Sequence, residues 1–197
     1  MRVRLADPER DAERIAEIYR PNVEATVISF EEVAPSAAEM AGRIQSVLAW
    51  TPWLVALDEK SRVIGYTYAS RHRERAGYRW SVDPAVYVDP SFQGRGVGKV
   101  LYGELLPILR RQRFVNAYAG VGLPNDASVE LHESIGMSRG VYEKVGWKLG
   151  RWVDVAWYGM RLVEPVDDGP RPAEPVPFSS IAREVARVLE AGTVSQG

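Results

Sequence analysis

A chain of 197 residues suits one domain with a full apolar core, and 46% hydrophobic with 26% charged residues is the balance of a globular protein, not a disordered one. A net charge of -1 supplies no field to attract nucleic acid or anionic lipid, so neither is expected as a partner. The absence of cysteine excludes disulfides, thiolate metal sites and a cysteine nucleophile, and no apolar run reaches the roughly 18 residues that a membrane span needs.

In chain order, Met1 to Leu5 runs straight into charged sequence, unlike a secretory leader, so a cytoplasmic location is expected. Val3–Leu5 predicts a short strand. Asp7-Pro8-Glu9 is a helix start, with Asp as N-cap and Pro in the first turn, and predicts a helix to Arg20 with Ile15, Ile18 and Tyr19 inward. Ser36-Ala37-Ala38-Glu39 has capping-box spacing and opens a helix to about Ala49. Strands are predicted at Trp53–Leu57, Val63–Ala69 and Trp80–Val88, followed by a glycine-rich loop over Gln93–Gly98 and a helix ending near Gln112. Asn116–Gly120 predicts a strand, Asp126–Ser134 a short helix, and Gly140–Tyr142 and Val153–Leu162 two closing strands. This mixture predicts an α/β or α+β sheet covered by helices.

The last segment differs in composition. Five prolines between Pro165 and Phe178 predict an extended linker, and Ser180 is placed to cap a helix with Ile181, Val185, Val188 and Leu189 on one face. The expected organisation is a domain over 1–163, a linker over 164–179, and an amphipathic helix and tail over 180–197. The helix is expected to dock on its own domain or on a partner subunit.

The strongest chemical signal is Gln93-Gly94-Arg95-Gly96-Val97-Gly98-Lys99, between an apolar strand and an amphipathic helix. Glycines let successive N–H groups converge, and a helix N-terminus adds positive potential, which together suit a pyrophosphate; Arg95 and Lys99 add charge. The P-loop pattern fails here, because Gln93 stands at its first position and Val100 at its last. The dinucleotide fingerprint also fails, with Lys99 or Leu101 where its third glycine belongs. Gln/Arg-x-x-Gly-x-Gly fits as Gln93, Gly96 and Gly98.

That loop resembles the coenzyme A pyrophosphate loop of the GNAT superfamily. Val86-Tyr87-Val88-Asp89-Pro90, Gly122-Leu123-Pro124-Asn125-Asp126, Ser128 through His132-Glu133, Gly146-Trp147-Lys148 and Gly150-x-Trp152-x-Asp154-Val155 extend the resemblance to the phosphinothricin N-acetyltransferases. Pro52 to Ala56 matches as well, and the resemblance covers residues 2 to 162. It implies a GNAT fold: a mixed sheet splayed at the cofactor site with helices on both faces. It implies acetyl-CoA as cosubstrate, a small amino-acid-like amine acceptor and a homodimer. In this resemblance Val86, Tyr87 and Val88 lie along the pantetheine arm, Gln93 to Lys99 hold the phosphates, and Asn125 contacts the coenzyme. The implied acid–base residues fall on His132 and on Asp83, which stands where the family has glutamate.

Asp is one methylene shorter than Glu, so a bridging water is one way to recover the reach, and Asp83 has the alternative of simply pairing with an arginine. Pro84 has no N–H and suits a strand edge or bulge, so a donor to the acetyl oxygen is expected further along, on Tyr87 or Val88. His132 has the alternative of a hydrogen-bonded core residue; Tyr142 reads as a proton donor, with packing as its alternative. Arg73 and Arg75 are expected to grip a substrate carboxylate through their planar forks, with Phe30 and Trp80, and more weakly Tyr78, walling the acceptor pocket. No metal is expected in this chemistry. The alternatives are acetylation of a peptide N-terminus or another amine, and a catalytically silent acyl-CoA-binding module.

Overall fold

The computed structural model describes residues 1–164 and 170–194. Part of the expected linker, 165–169, and the end of the tail, 195–197, lie outside the described residues. The chain begins with strand β1 (Arg2–Leu5) and helix α1 (Pro8–Glu24), whose N-cap Asp7 accepts from the amides of Glu9 and Arg10. Arg4 grips the buried Asp11 through two bonds of 2.6 and 2.9 Å, and so fastens β1 to α1. Helix α1 runs past Pro21 rather than stopping at Arg20. Val23 is buried in the core beyond it, and the Asn22 side chain donates to the Ile18 carbonyl at 3.0 Å.

Helix α2 (Ala37–Leu48) carries the full capping box of Ser36 and Glu39. Strands β2 (Trp53–Leu57), β3 (Val63–Arg71) and β4 (Ser81–Val88) follow, then helix α3 (Val97–Arg111), strand β5 (Asn116–Gly122) and helix α4 (Asp126–Ser134). A long hairpin of β6 (Ser138–Lys148) and β7 (Arg151–Arg161) and helix α5 (Phe178–Val194) complete it. Helix α5 begins two residues before Ser180, whose hydroxyl donates to the Pro177 carbonyl at 2.7 Å instead of capping the helix. Its inner face is Phe178, Val185 and Leu189; Val188, expected inward, is 60% exposed.

The seven strands form one sheet in the order β1-β2-β3-β4-β5-β7-β6, and every neighbouring pair is antiparallel except β4 with β5. Helices α1 and α2 cover one face, packing Ile15, Ile18, Met40 and Ile44 on Trp53, Val55 and Tyr66. Helices α3 and α5 cover the other, packing Leu101, Leu105, Phe178 and Val185 on Val3, Leu54 and Val82. Strand β2 is therefore buried on both faces, which is why it reads as a continuous apolar run. At the end of β6 the buried Lys148 ammonium donates to the carbonyls of Val23, Ser29 and Glu31 at 2.5–2.6 Å. This pins the segment after α1 onto the hairpin.

Candidate active site

Strands β4 and β5 pair only at Ser81–Asn116 and Val82–Ala117 and then part. The bonds His72 N–H to Ser81 O and Asp89 N–H to Ile64 O, at either end of β4, set its register on β3. Odd-numbered residues of β4 thus turn their backbone groups to β3, and Val82, Pro84, Val86 and Val88 turn theirs toward β5. From Pro84 onward those groups face a cleft of about 430 Å³, lined by Pro84 to Val88, Ala119 to Gly122, the glycine loop and α4. Pro84 is tolerated inside a strand because its missing N–H would point into the gap, where no ladder bond is lost. The amides that face the gap belong to Val86 and Val88. Tyr87, one of the two donors expected, faces β3 opposite Tyr66, and its ring packs on Tyr19 and Tyr66.

The loop after β4 is braced by Asp89, which accepts from the Ser91 amide at 2.8 Å and pairs with Arg14. Gly94 and Gly96 have φ of 71° and 76°, a region that side chains resist. Gly96 is the N-cap of α3 and offers no side chain, and the first helical bond is Val100 N–H to Gly96 O. The amides of Val97, Gly98 and Lys99 therefore have no intrahelical acceptor. All seven loop residues from Gln93 to Lys99 line the cleft except Arg95. Its guanidinium lies over the ring of Phe92, itself part of the lining, at 5.1 Å, and Lys99 is the cation among the loop residues that line the cleft. Asn125 also lines the cleft and caps α4, accepting from the Ser128 amide at 3.3 Å.

His132 lies on the α3 side, buried. Its Nδ1 is 2.6 Å from the Ser128 carbonyl, which can only accept, so Nδ1 carries the proton and Nε2 accepts from the Tyr102 hydroxyl at 3.2 Å. Burial lowers the pKa of His132, and the Ser128 bond offsets this only in part. Burial pushes the Tyr102 hydroxyl well up, with the phenol of Tyr68 adding to the rise. Tyr102 also lies 3.4 Å from the Pro84 carbonyl, at the start of the cleft. Nothing in the sequence singles it out, because it sits on the apolar face of α3 among Leu101, Leu105 and Leu106.

Asp83 lies on the opposite face of the sheet. It pairs not with an arginine but with His72, Nδ1 to Oδ1 at 2.6 Å. Burial raises its pKa, and the His72 bond and the charge of Arg73 pull it partly back. Around His72 stand Tyr118 at 4.7 Å, Tyr78 at 5.9 Å and Trp157 at 6.5 Å between ring centres. The Arg73 guanidinium lies 5.8 Å over Trp157, whose other neighbour is Tyr142 at 5.7 Å. Asp83 and His132 thus flank the parting from its two sides and do not meet. His72 is the group the structure adds.

Arg75 is exposed at the start of a 3-10 turn, where its carbonyl accepts from the Tyr78 amide. Phe30 packs over Gly146, where a Cβ would lie 2.4 Å from its ring. Trp80 does not wall this face. Its indole N–H donates to the Ala173 carbonyl at 3.0 Å and its ring lies between Arg79 and Arg171, so it ties the C-terminal segment to the start of β4. Among the described residues no three acidic or histidine side chains gather as a metal site, and no helix is long and apolar enough to cross a membrane.

Residues 15–137 match the family model described as Acetyltransferase (GNAT) family. The chain is similar to the phosphinothricin N-acetyltransferase of Streptomyces viridochromogenes, at 34% identity over 64% of this chain and 68% of that one. It is similar to the L-methionine sulfoximine/L-methionine sulfone acetyltransferase of Salmonella typhimurium, at 32% identity over 70% of this chain and 80% of that one. Among solved structures it superposes on the phosphinothricin acetyltransferase of Sinorhizobium meliloti in complex with AcCoA. The TM-score is 0.80 and the identity 36%, over 87% of this chain and 94% of that one.

Proposed function

From the premise that the chain belongs to the acetyltransferase (GNAT) family, we propose that it moves the acetyl group of acetyl-CoA to the α-amine of a small amino-acid-like acceptor of the phosphinothricin, methionine sulfone or methionine sulfoximine type. One observation carries this reading. A cleft between parted strands is lined at one end by the first turn of α3, with the open amides of Val97 to Lys99, and begins on β4 at Pro84, next in the chain to Asp83 of a carboxylate–imidazole pair.

The reaction needs a diphosphate anchor, a donor to the tetrahedral oxyanion, a base for the amine and an acid for the departing thiolate. In this reading the amides of Val97, Gly98 and Lys99 take the diphosphate at the helix N-terminus, with Gln93, Gly94 and Gly96 shaping the approach. Val86 and Val88 line the pantetheine arm and supply the N–H donors of the gap. Asn125 borders the coenzyme. Asp83 serves the acceptor amine, and His132 acts on the thiolate through Tyr102. Arg73 and Arg75 receive the acceptor's carboxylate, and Phe30 walls its side chain.

The chain is proposed to work in the cytoplasm as a homodimer. Trp147 and Trp152, paired across the end of the β6–β7 hairpin and each more than half exposed, supply an apolar patch for a second copy. Residues 1–163 are proposed as the transferase domain, with α5 as an appended brace reached through the proline-rich segment. Thiol release from acetyl-CoA over a panel of amines tests the function. Release with amino acid analogues supports it, and release only with a peptide N-terminus or a polyamine refutes the substrate class.

A further inference from the structure

We infer that His72, held by Asp83, is the base that takes the proton from the acceptor's ammonium group, and that Asp83 is a positioning residue. The inference rests on the acetyl transfer proposed above and names the group that performs one of its steps.

Asp83 is shorter than the glutamate it stands for, and its Oδ1 is already committed to His72 Nδ1 at 2.6 Å. A carboxylate on Nδ1 fixes the proton there and leaves the lone pair on Nε2, which has no protein partner among the described residues. The dyad therefore presents Nε2, not a carboxylate oxygen, and the imidazole restores the reach that Asp lost. The ring is held by Tyr118 at 4.7 Å and by the edges of Tyr78 and Trp157. It remains partly open, with its side chain 16% exposed.

The position suits the task. Asp83 immediately precedes Pro84, where the lining of the cleft begins on β4, and Tyr118 immediately precedes Ala119, where it begins on β5. Strand alternation puts Asp83 on the face of the sheet opposite α3, away from the Tyr102–His132 pair. One face thus holds a proton acceptor for the amine, the other a hydrogen-bond donor for sulfur. The charged and titratable groups facing His72 are Asp83 on β4, Arg73 beside it, Tyr78 of the 3-10 turn and Tyr118 on β5.

The step balances without a further reagent. Nε2 takes one proton from the ammonium, and the freed nitrogen pair forms the C–N bond to the acetyl carbon. The C–S bond breaks with its electrons on sulfur, the nitrogen gives up a second proton as sulfur takes one, and His72 returns the first to solvent, so one proton is released overall.

The chain has two histidines, so imidazole proton resonances in the whole protein resolve into two signals, assigned by His72→Gln. In Asp83→Asn the His72 ring signals are expected to shift, since the carboxylate that holds the Nδ1 proton is gone, while the His132 signals stay. In the thiol-release assay Asp83→Asn lowers kcat/KM and leaves the KM for acetyl-CoA unchanged. His72→Gln lowers kcat/KM roughly 10²-fold near neutral pH. The loss shrinks where the acceptor amine is already deprotonated, and heat-shift titration with acetyl-CoA is unchanged. Unmoved His72 ring signals in Asp83→Asn overturn the inference, whether or not wild type releases thiol; so does a His72→Gln rate equal to wild type at every pH. Absence of thiol release from wild type with every amine refutes the transferase reading instead, and leaves the ring signals to decide the dyad.

Discussion

Tyr102 donates its hydroxyl to Nε2 of His132 across 3.2 Å, while the other imidazole nitrogen is committed to the Ser128 carbonyl at 2.6 Å. The pair stands at the mouth of the cleft where Pro84 begins the parting of β4 from β5. Because burial keeps the phenol protonated, Tyr102 can turn its hydroxyl from His132 Nε2 to the departing sulfur and stabilise the thiolate by a hydrogen bond, while the thiolate takes its proton from solvent. Tyr102→Phe is expected to lower kcat roughly 10²-fold without changing the dissociation constant for acetyl-CoA. Steady-state kinetics with direct binding of acetyl-CoA checks this. A fall in cofactor affinity with kcat intact would assign Tyr102 to packing.

Burial lowers the pKa of His132 below its ordinary 6.5, so between its folded value and 6.5 the unfolded chain binds more protons than the native one. His132 therefore costs the fold stability as pH falls through that window, and nothing above it. Thermal melts of His132→Gln against wild type are expected to converge in slope above pH 7 and diverge below 6.5, with wild type losing stability faster.

Asp83 has the opposite sign. Burial holds its folded pKa above the ordinary 3.8, so its stability deficit grows as pH rises through the folded value and is fully present at neutral pH. Asp83→Asn is expected to raise Tm at pH 7 relative to wild type while lowering turnover, and the gain should shrink as pH approaches 4. A melt series with parallel thiol-release assays reads both.

Asp11 is a structural carboxylate. Burial alone would raise its pKa, but bonds from Arg4, the Asp7 amide and Arg10 outweigh this and hold it below 3.8. Its contribution is present above 3.8 and lost as pH falls through the lower folded value. Asp11→Asn leaves Arg4 short of its partner and is expected to cost about 1–3 kcal/mol in urea unfolding near pH 7, with kcat/KM unchanged.

Phe30 and Gly146 test the acceptor wall. A Cβ at Gly146 would lie 2.4 Å from the Phe30 ring, so Gly146→Ala must move that ring. The expected result is a several-fold higher KM for the acceptor and an unchanged KM for acetyl-CoA. Equal changes in both would place Phe30 outside the acceptor pocket.

The fold was legible where local chemistry and packing agree. The Asp7 cap, the Ser36–Glu39 capping box, the buried run of β2 and the short α4 all lie where their residues predict. Helix α1 overran Pro21 because burial of Val23 outweighs a lost bond, and α5 began at Phe178 because that ring enters the core. The glycine loop was legible because its spacing is chemistry in itself. His72 and Tyr102 were not, since a histidine among arginines reads as solvated turn and a tyrosine on an apolar helix face reads as core. Only strand register and the parting of the sheet give them partners. The partners of Trp80 and Arg95 were not legible either: an aromatic ring and a guanidinium turn to neighbours that only the fold supplies, here the Ala173 carbonyl and the Phe92 ring.

The most direct test of the whole account is a crystal structure of the protein with coenzyme A and methionine sulfone. The account predicts a diphosphate accepting hydrogen bonds from the amides of Val97 to Lys99, the pantetheine beside Val86 and Val88, and the acceptor nitrogen within reach of His72 Nε2. A diphosphate held away from the first turn of α3, or an acceptor amine on the Tyr102 face of the sheet, would contradict it.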